Sequence, residues 1–256
     1  MPRSDRTTMG GDGESFETTQ WTRILEARGD DPQRRQQAIA TILGQYWKPV
    51  YCYLRRKGFH NEKAKDLTQG FFCRIVLENQ LIQQGDRDKG RFRTFLLTAL
   101  DRYTVNIARA EHAQKRMPRQ RLLSLDGANL PDLPEPGGQA TPEQAFNYTW
   151  AASLLEDVLA EVEAGCRTDG LDKHWQVFEA TVVQSARSGE RTVSMRSLCE
   201  SLGIESEAKV SNMGVTVKRR FQAALRRRVR RSVQSDQLVD EELAEIMRIL
   251  SSGRAG

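Results

Sequence analysis

A chain of 256 residues with 39 Lys/Arg, 34 Asp/Glu and a formal charge of +5 has room for one large domain or two small ones, each with a modest core. Its longest clear apolar run, Phe95 to Leu100, falls far short of the ~20 residues of a membrane span, and the opening MPRSDRTTMGGDGES has no hydrophobic signal core. His60, His112 and His174 are scattered and Cys52, Cys73, Cys166 and Cys199 show no CxxC spacing, so no metal, cofactor, catalytic dyad or enzyme chemistry is expected, and the thiols read as reduced and buried in a cytoplasmic protein.

Residues 1–15 read as a disordered lead-in. The stretch Phe16 to Arg28 predicts a helix with Thr18 or Thr19 as N-cap and Trp21, Ile24 and Leu25 as its apolar edge. Gln36 to Lys57 predicts a longer helix carrying Ile39, Leu43, Trp47, Val50 and Leu54 on one face, with a kink or break near Trp47 caused by Pro49. Glu62 to Asn79 follows, striped by Leu67, Phe71, Phe72, Ile75 and Val76. Gln83 to Gly90 is a polar loop, and Arg91 to Arg116 a long helix with Phe92, Phe95, Leu96, Ala99, Leu100, Tyr103 and Ile107 inward.

The texture then changes. Met117 to Thr141 holds four prolines and three glycines, a composition that sustains neither helix nor core, and it divides the chain as a linker. Thr141-Pro142-Glu143 predicts an N-cap with proline in the first turn of a helix to about Glu163, and another helix runs from about Leu171 to Arg187. Residues 194–231 then give a short apolar helix (Met195, Leu198 and Leu202 as a buried stripe), a left-handed stop at Gly203 and a long basic helix with Val210, Val217, Phe221, Leu225 and Val229 on one face. That order predicts a helix-turn-helix. The tail, Asp236 to Leu250, predicts an acidic amphipathic helix that packs on the basic second half.

The mild net charge conceals an uneven distribution. Residues 91–121 hold eight Lys/Arg against Asp101 and Glu111 (+6) and residues 207–231 hold nine against Glu207 (+8), which leaves −9 for the rest of the chain. Two local basic segments suggest two contacts with a polyanion. Eight cations between Val217 and Arg231 repel one another unless an anion is near, which favours nucleic acid over a merely solvated face.

Four phrases, in order, carry a resemblance: Asp66-Leu67-Thr68-Gln69-Gly70-Phe71-Phe72, Gly90-Arg91-Phe92-Arg93-Thr94-Phe95-Leu96-Leu97, Asn106 to Arg116, and the basic helix-turn-helix. Together they resemble a bacterial RNA polymerase sigma factor, more narrowly the extracytoplasmic-function group of the sigma-70 family, which keeps only regions two and four. The opening FETTQW and the phrase YWKPVYCYLRRKG are similar to those of a subgroup. The match covers residues 16–116 well and 194–231 more loosely.

The resemblance implies an all-α protein of two small helical domains: a region 2 bundle (16–116) and a region 4 helix-turn-helix domain (142–233), joined by the Pro/Gly-rich linker (117–141) and followed by an acidic helix and tail (234–256). It implies binding to core RNA polymerase through Asp66, Leu67, Gln69 and Phe72, and recognition and melting of promoter DNA through Arg91, Phe92, Arg93, Arg102, Tyr103, Asn106, Arg109, Lys115 and Arg116. In the second module Lys209, Ser211, Asn212, Thr216, Lys218, Arg219 and Arg220 are the implied DNA contacts, with Arg226 to Arg231 holding phosphate. Asn106 stands where a base-reading residue is common, and its amide suits adenine. Two positions depart from the family: Gly70 replaces a usually acidic residue, and Asp101 an often basic one, where an anion should repel phosphate. An anti-sigma factor is a further implied partner; a membrane is not. The competing readings are a helix-turn-helix regulator that never touches polymerase and a basic RNA-binding protein.

Overall fold

The computed structural model describes residues 31–74, 92–114, 140–188, 193–233 and 236–252. The lead-in at 1–15, the helix expected over Phe16 to Arg28, the polar loop Gln83 to Gly90 and the linker up to residue 139 lie outside the described residues, as do Arg91, Lys115 and Arg116.

Every regular element described is helical. Helix α1 (Pro32–Arg56) starts where Asp31 caps it, its Oδ1 accepting from the amides of Gln33 at 3.0 Å and Arg34 at 3.3 Å. It runs through Pro49 as one element, so the predicted interruption does not become a break. Proline costs a helix interior roughly 3 kcal/mol. The five residues beyond it, Val50, Tyr51, Cys52, Tyr53 and Leu54, are all buried in the core, and at about 1.5–3 kcal/mol for each large apolar side chain their burial exceeds that cost. Helix α2 (Asn61–Phe72) begins one residue earlier than expected because His60 caps it through Nδ1. Helix α3 spans Phe92–Gln114.

Helix α4 (Pro142–Thr168) opens on the predicted cap. The Gln144 amide donates to Thr141 Oγ1 at 3.2 Å and the Thr141 amide to Gln144 Oε1 at 2.8 Å, a reciprocal capping box. It extends past Glu163 because Val162 and Cys166 are both buried. Helix α5 (Asp172–Phe178) passes through a π-helical turn (Glu179–Val183) into α6 (Gln184–Ser188). Then come α7 (Met195–Leu202), α8 (Glu207–Arg230) and the tail helix α9 (Gln237–Ser252).

Despite the division expected at 117–141, helices from both sides of it share one core. Tyr46 of α1, almost wholly buried, meets Phe92 of α3 edge-on at 5.2 Å and stacks on Phe146 of α4 at 6.4 Å. The same cluster takes in Val229 of α8 and Val239 and Ile246 of α9, so the tail helix completes the core as well as lying on the basic helix. Two smaller clusters belong to the second half alone. One joins α4, α5 and α8 around Trp175 and Phe178; the other seats α7 on α8 through Leu198, Ile204, Val210 and Met213. Of the thiols expected to be buried, Cys52 and Cys166 are, and burial pushes both above the ordinary thiol value. Cys73 is exposed and Cys199 half-buried.

Candidate nucleic-acid interface

Helix α3 is anchored by Phe92, Leu96, Ala99 and Leu100 facing inward, and that rotation leaves Arg102, Val105, Asn106 and Arg109 on one exposed stripe at helical spacing. Arg102, Asn106 and Arg109 make no ion pair or side-chain hydrogen bond with the described residues, so two cations and an amide are open to a ligand. Asp101, expected to repel phosphate beside them, is neutralised. It accepts from Lys57 Nζ at 3.0 Å and from Tyr53 Oη at 3.1 Å. Those bonds, Lys57's first, hold its carboxyl below the ordinary carboxylate value and raise Lys57, while burial pushes Tyr53 up to about 12.

Several residues expected at the interface are core instead. Phe92 is 4% exposed and packs on Tyr46, so it is no platform for an unstacked base. Leu67 and Phe72 of α2 are buried, Phe72 stacking on Trp47 at 6.0 Å, which leaves only Asp66 and Gln69 of the expected docking set facing outward. The reason is crowding: α2 is short and must cover the aromatic end of the core with every apolar residue it has. Gly70 now has a physical reason. A Cβ there would lie 2.7 Å from Tyr103 Oη, so the glycine admits the tyrosine, whose ring packs edge-on against Phe71 at 5.5 Å and is only half exposed.

Arg93 shows the largest departure. Expected on DNA, it is 5% exposed and enclosed between halves of the chain. Its Nη1 donates to Asn147 Oδ1 at 3.3 Å, its Nη2 to Glu242 Oε2 at 3.3 Å, and its Nε lies 3.2 Å from Glu242 Oε1. The guanidinium also sits 4.6 Å from the Trp150 ring centroid, a cation–π contact.

The short helix, the left-handed stop and the long basic helix are all present. Ser194 caps α7, Gly203 ends it at φ 62°, and Ser206 caps α8 by accepting the Lys209 amide at 3.3 Å. Of the predicted stripe on α7 only Leu198 is fully buried; Met195 and Leu202 are half-buried against the same cluster. Lys209, Ser211, Asn212, Thr216, Lys218 and Arg219 all face outward. Lys218 and Arg219 have no ionic partner among the described residues, whereas Lys209 pairs with Glu205 at 3.3 Å and the Thr216 hydroxyl donates back to Asn212 at 2.9 Å.

Further along α8 the cations are taken. Arg220 meets Asp169 at 2.6 Å, Arg226 meets Asp240 at 2.5 Å, Arg228 meets Asp157 at 2.9 Å, Arg227 pairs with Glu161 and Arg230 with Asp236. In the free chain, then, four of the arginines expected to hold phosphate, Arg226, Arg227, Arg228 and Arg230, face carboxylates of α4 and of the tail, which relieve their mutual repulsion. The −9 carried by the remaining sequence was the one sign of this, but it could not say which acids fold back. Among the described residues no group of three metal-ligating side chains is present, and no helix is long and apolar enough to cross a membrane.

Comparison with family models, curated proteins and solved structures returns no match.

Proposed function

We propose that this chain is a sigma-type initiation factor of the extracytoplasmic-function group, which binds core RNA polymerase, directs it to a two-part promoter and assists strand opening without chemistry of its own. The observation that carries the reading is the open stripe Arg102–Asn106–Arg109 on α3, on the helix that resembles the promoter-melting segment, together with a separate helix-turn-helix whose leading face is also open. A plain repressor needs only the second. Cations that hold a backbone beside an amide able to pair with adenine suit a strand being unstacked and read. Lys218 and Arg219 suit duplex phosphate at the upstream element. On this reading the α3 stripe and the face of α8 act at two sites of the promoter, an anti-sigma factor is a candidate regulator, and the site of action is the cytoplasm.

Burial of Leu67 and Phe72 favours a second reading, a helix-turn-helix regulator that does not touch polymerase, because it removes the apolar half of the docking face. The full-length protein decides between them, since a fragment ending at residue 116 would strip Tyr46 and Phe92 of their cover. Co-elution with core polymerase on size exclusion is expected, weakened about tenfold by Asp66→Arg, a loss of roughly 1.4 kcal/mol. Duplex binding without co-elution would replace the proposal with the regulator, and a preference for folded RNA over both would replace it with the RNA-binding reading.

A further inference from the structure

We propose that Val215 of α8 is a specificity-determining residue: on bound duplex DNA its side chain packs against the C5 methyl group of one thymine in the major groove. The inference rests on the DNA-binding reading above and deepens it, since it names the base feature that α8 reads.

The rotation of α8 is fixed from its inner side. Val210, Met213 and Val217 are buried there, and a Cβ at Gly214 would point at Val177 Cγ1, 3.6 Å away, and at Thr181 Oγ1, 4.0 Å away. Helical geometry then puts Asn212, Val215 and Arg219 on the opposite face, and all three are exposed. Val215, 42% exposed, stands at the centre of that face, with Ser211 and Asn212 one turn before it and Lys218 and Arg219 one turn after. It also lies within the leading turns of the helix, the part that meets base edges when a recognition helix enters the major groove.

A lone exposed apolar side chain is common on a protein surface; its place on an otherwise polar face singles this one out. Valine is a weaker helix former than alanine, lysine or arginine, and at an exposed position packing returns little of that loss. Lys218 and Arg219 have no ionic partner among the described residues and suit phosphate, while the Thr216 hydroxyl is turned back onto the Asn212 carbonyl at 2.9 Å. The Asn212 amide suits a polar base edge, and a valine can serve neither purpose. Its isopropyl group matches the one methyl group that base pairs present in the major groove, that of thymine. Packing the two together takes apolar surface of both out of water. Uracil lacks that methyl group and the RNA major groove is too narrow to read, so the same valine favours DNA over RNA on this face.

Selection from a pool of duplexes with about ten randomised base pairs, one turn of DNA, tests this with the full-length chain, alone and saturated with core polymerase. The retained duplexes are resynthesised with deoxyuridine in place of each thymidine in turn, which removes the methyl group and leaves the hydrogen-bonding groups of the base unchanged. One such replacement should weaken wild-type binding about fourfold, the worth of one methyl-sized group returned to water. Val215→Ser should bind the thymidine and deoxyuridine duplexes alike and keep the wild-type salt slope. It should also keep the wild-type unfolding midpoint, because serine matches valine in helix propensity and no core contact is lost. If the wild type is indifferent to every replacement, or if Val215→Ser keeps the fourfold preference, Val215 does not read thymine, and the DNA-binding reading is untouched. A lowered midpoint in Val215→Ser would assign the valine to the fold instead and overturn the inference. Retention of no duplex by either form would overturn the DNA-binding reading, and the inference with it.

Discussion

The two basic helices dispose of their charge in opposite ways. Helix α8 spreads its arginines over exposed pairs with α4, α9 and the end of α4's turn, contacts that water and salt weaken. Helix α3 instead buries one arginine completely and leaves Arg102 and Arg109 bare. Surface pairing lowers long-range attraction for a polyanion without fixing any geometry. A single enclosed pair fixes geometry between distant parts of the chain while leaving the exposed stripe attractive. The free protein thus leaves the α3 stripe and the leading face of α8 open, and pairs Arg93 and the arginines from Arg226 to Arg228 with carboxylates.

The sharpest way to break that comparison is Arg93→Ala. Leaving Glu242 buried without its partner should cost about 3 kcal/mol by denaturant unfolding, whereas Arg93→Met/Glu242→Leu should cost little or stabilise. A loss below about 0.5 kcal/mol for the single variant would make the pair equivalent to those on α8.

Next in size is the seating of α3 on α2. Gly70→Ala gains roughly 1 kcal/mol of helix propensity but drives a Cβ onto the Tyr103 hydroxyl, so the single variant should be destabilised by about 1 kcal/mol. In a Tyr103→Phe background the nearest ring carbon is 3.9 Å away and the same alanine should stabilise by up to about 1 kcal/mol. Additive effects in that double-mutant cycle would remove the close approach as the reason for the glycine.

A smaller effect tests the neutralised Asp101. Its carboxyl is depressed by Lys57 and Tyr53, so its contribution is present above the unfolded carboxylate value and fades as pH falls through the folded one. Lys57 is raised, so its share is present below the unfolded lysine value and fades as pH climbs through the folded one. Wild type and Asp101→Asn should therefore differ by about 0.3 kcal/mol between pH 5 and 9, since the pair is half exposed, and converge in acid and strong alkali. A gap that persists at pH 2 would point to lost packing rather than charge.

Smallest of all should be Arg226→Ala. Its pair with Asp240 is fully exposed, so the unfolding midpoint should hardly move at moderate salt. A midpoint shift as large as that of Arg93→Ala would erase the distinction between the two helices.

How much of this the sequence determined follows from the range of the forces. The caps at Thr141 and Gly203, the helical periodicities and the helix-turn-helix order depend on neighbours within a few residues, and those were legible. So was the coarse fact that basic segments sit in an acidic remainder. Which face of α3 points outward, and that Phe92, Leu67 and Phe72 belong to the core, was settled by packing among α1, α2, α3 and α4, because an apolar residue in an amphipathic stripe serves core or contact equally well until its neighbours are known. The partners of Arg93 and Arg226 were further still from view. Glu242 stands 149 residues from Arg93, and charge carries no label naming its counterion, so only the tertiary structure could decide that the tail supplies the anions.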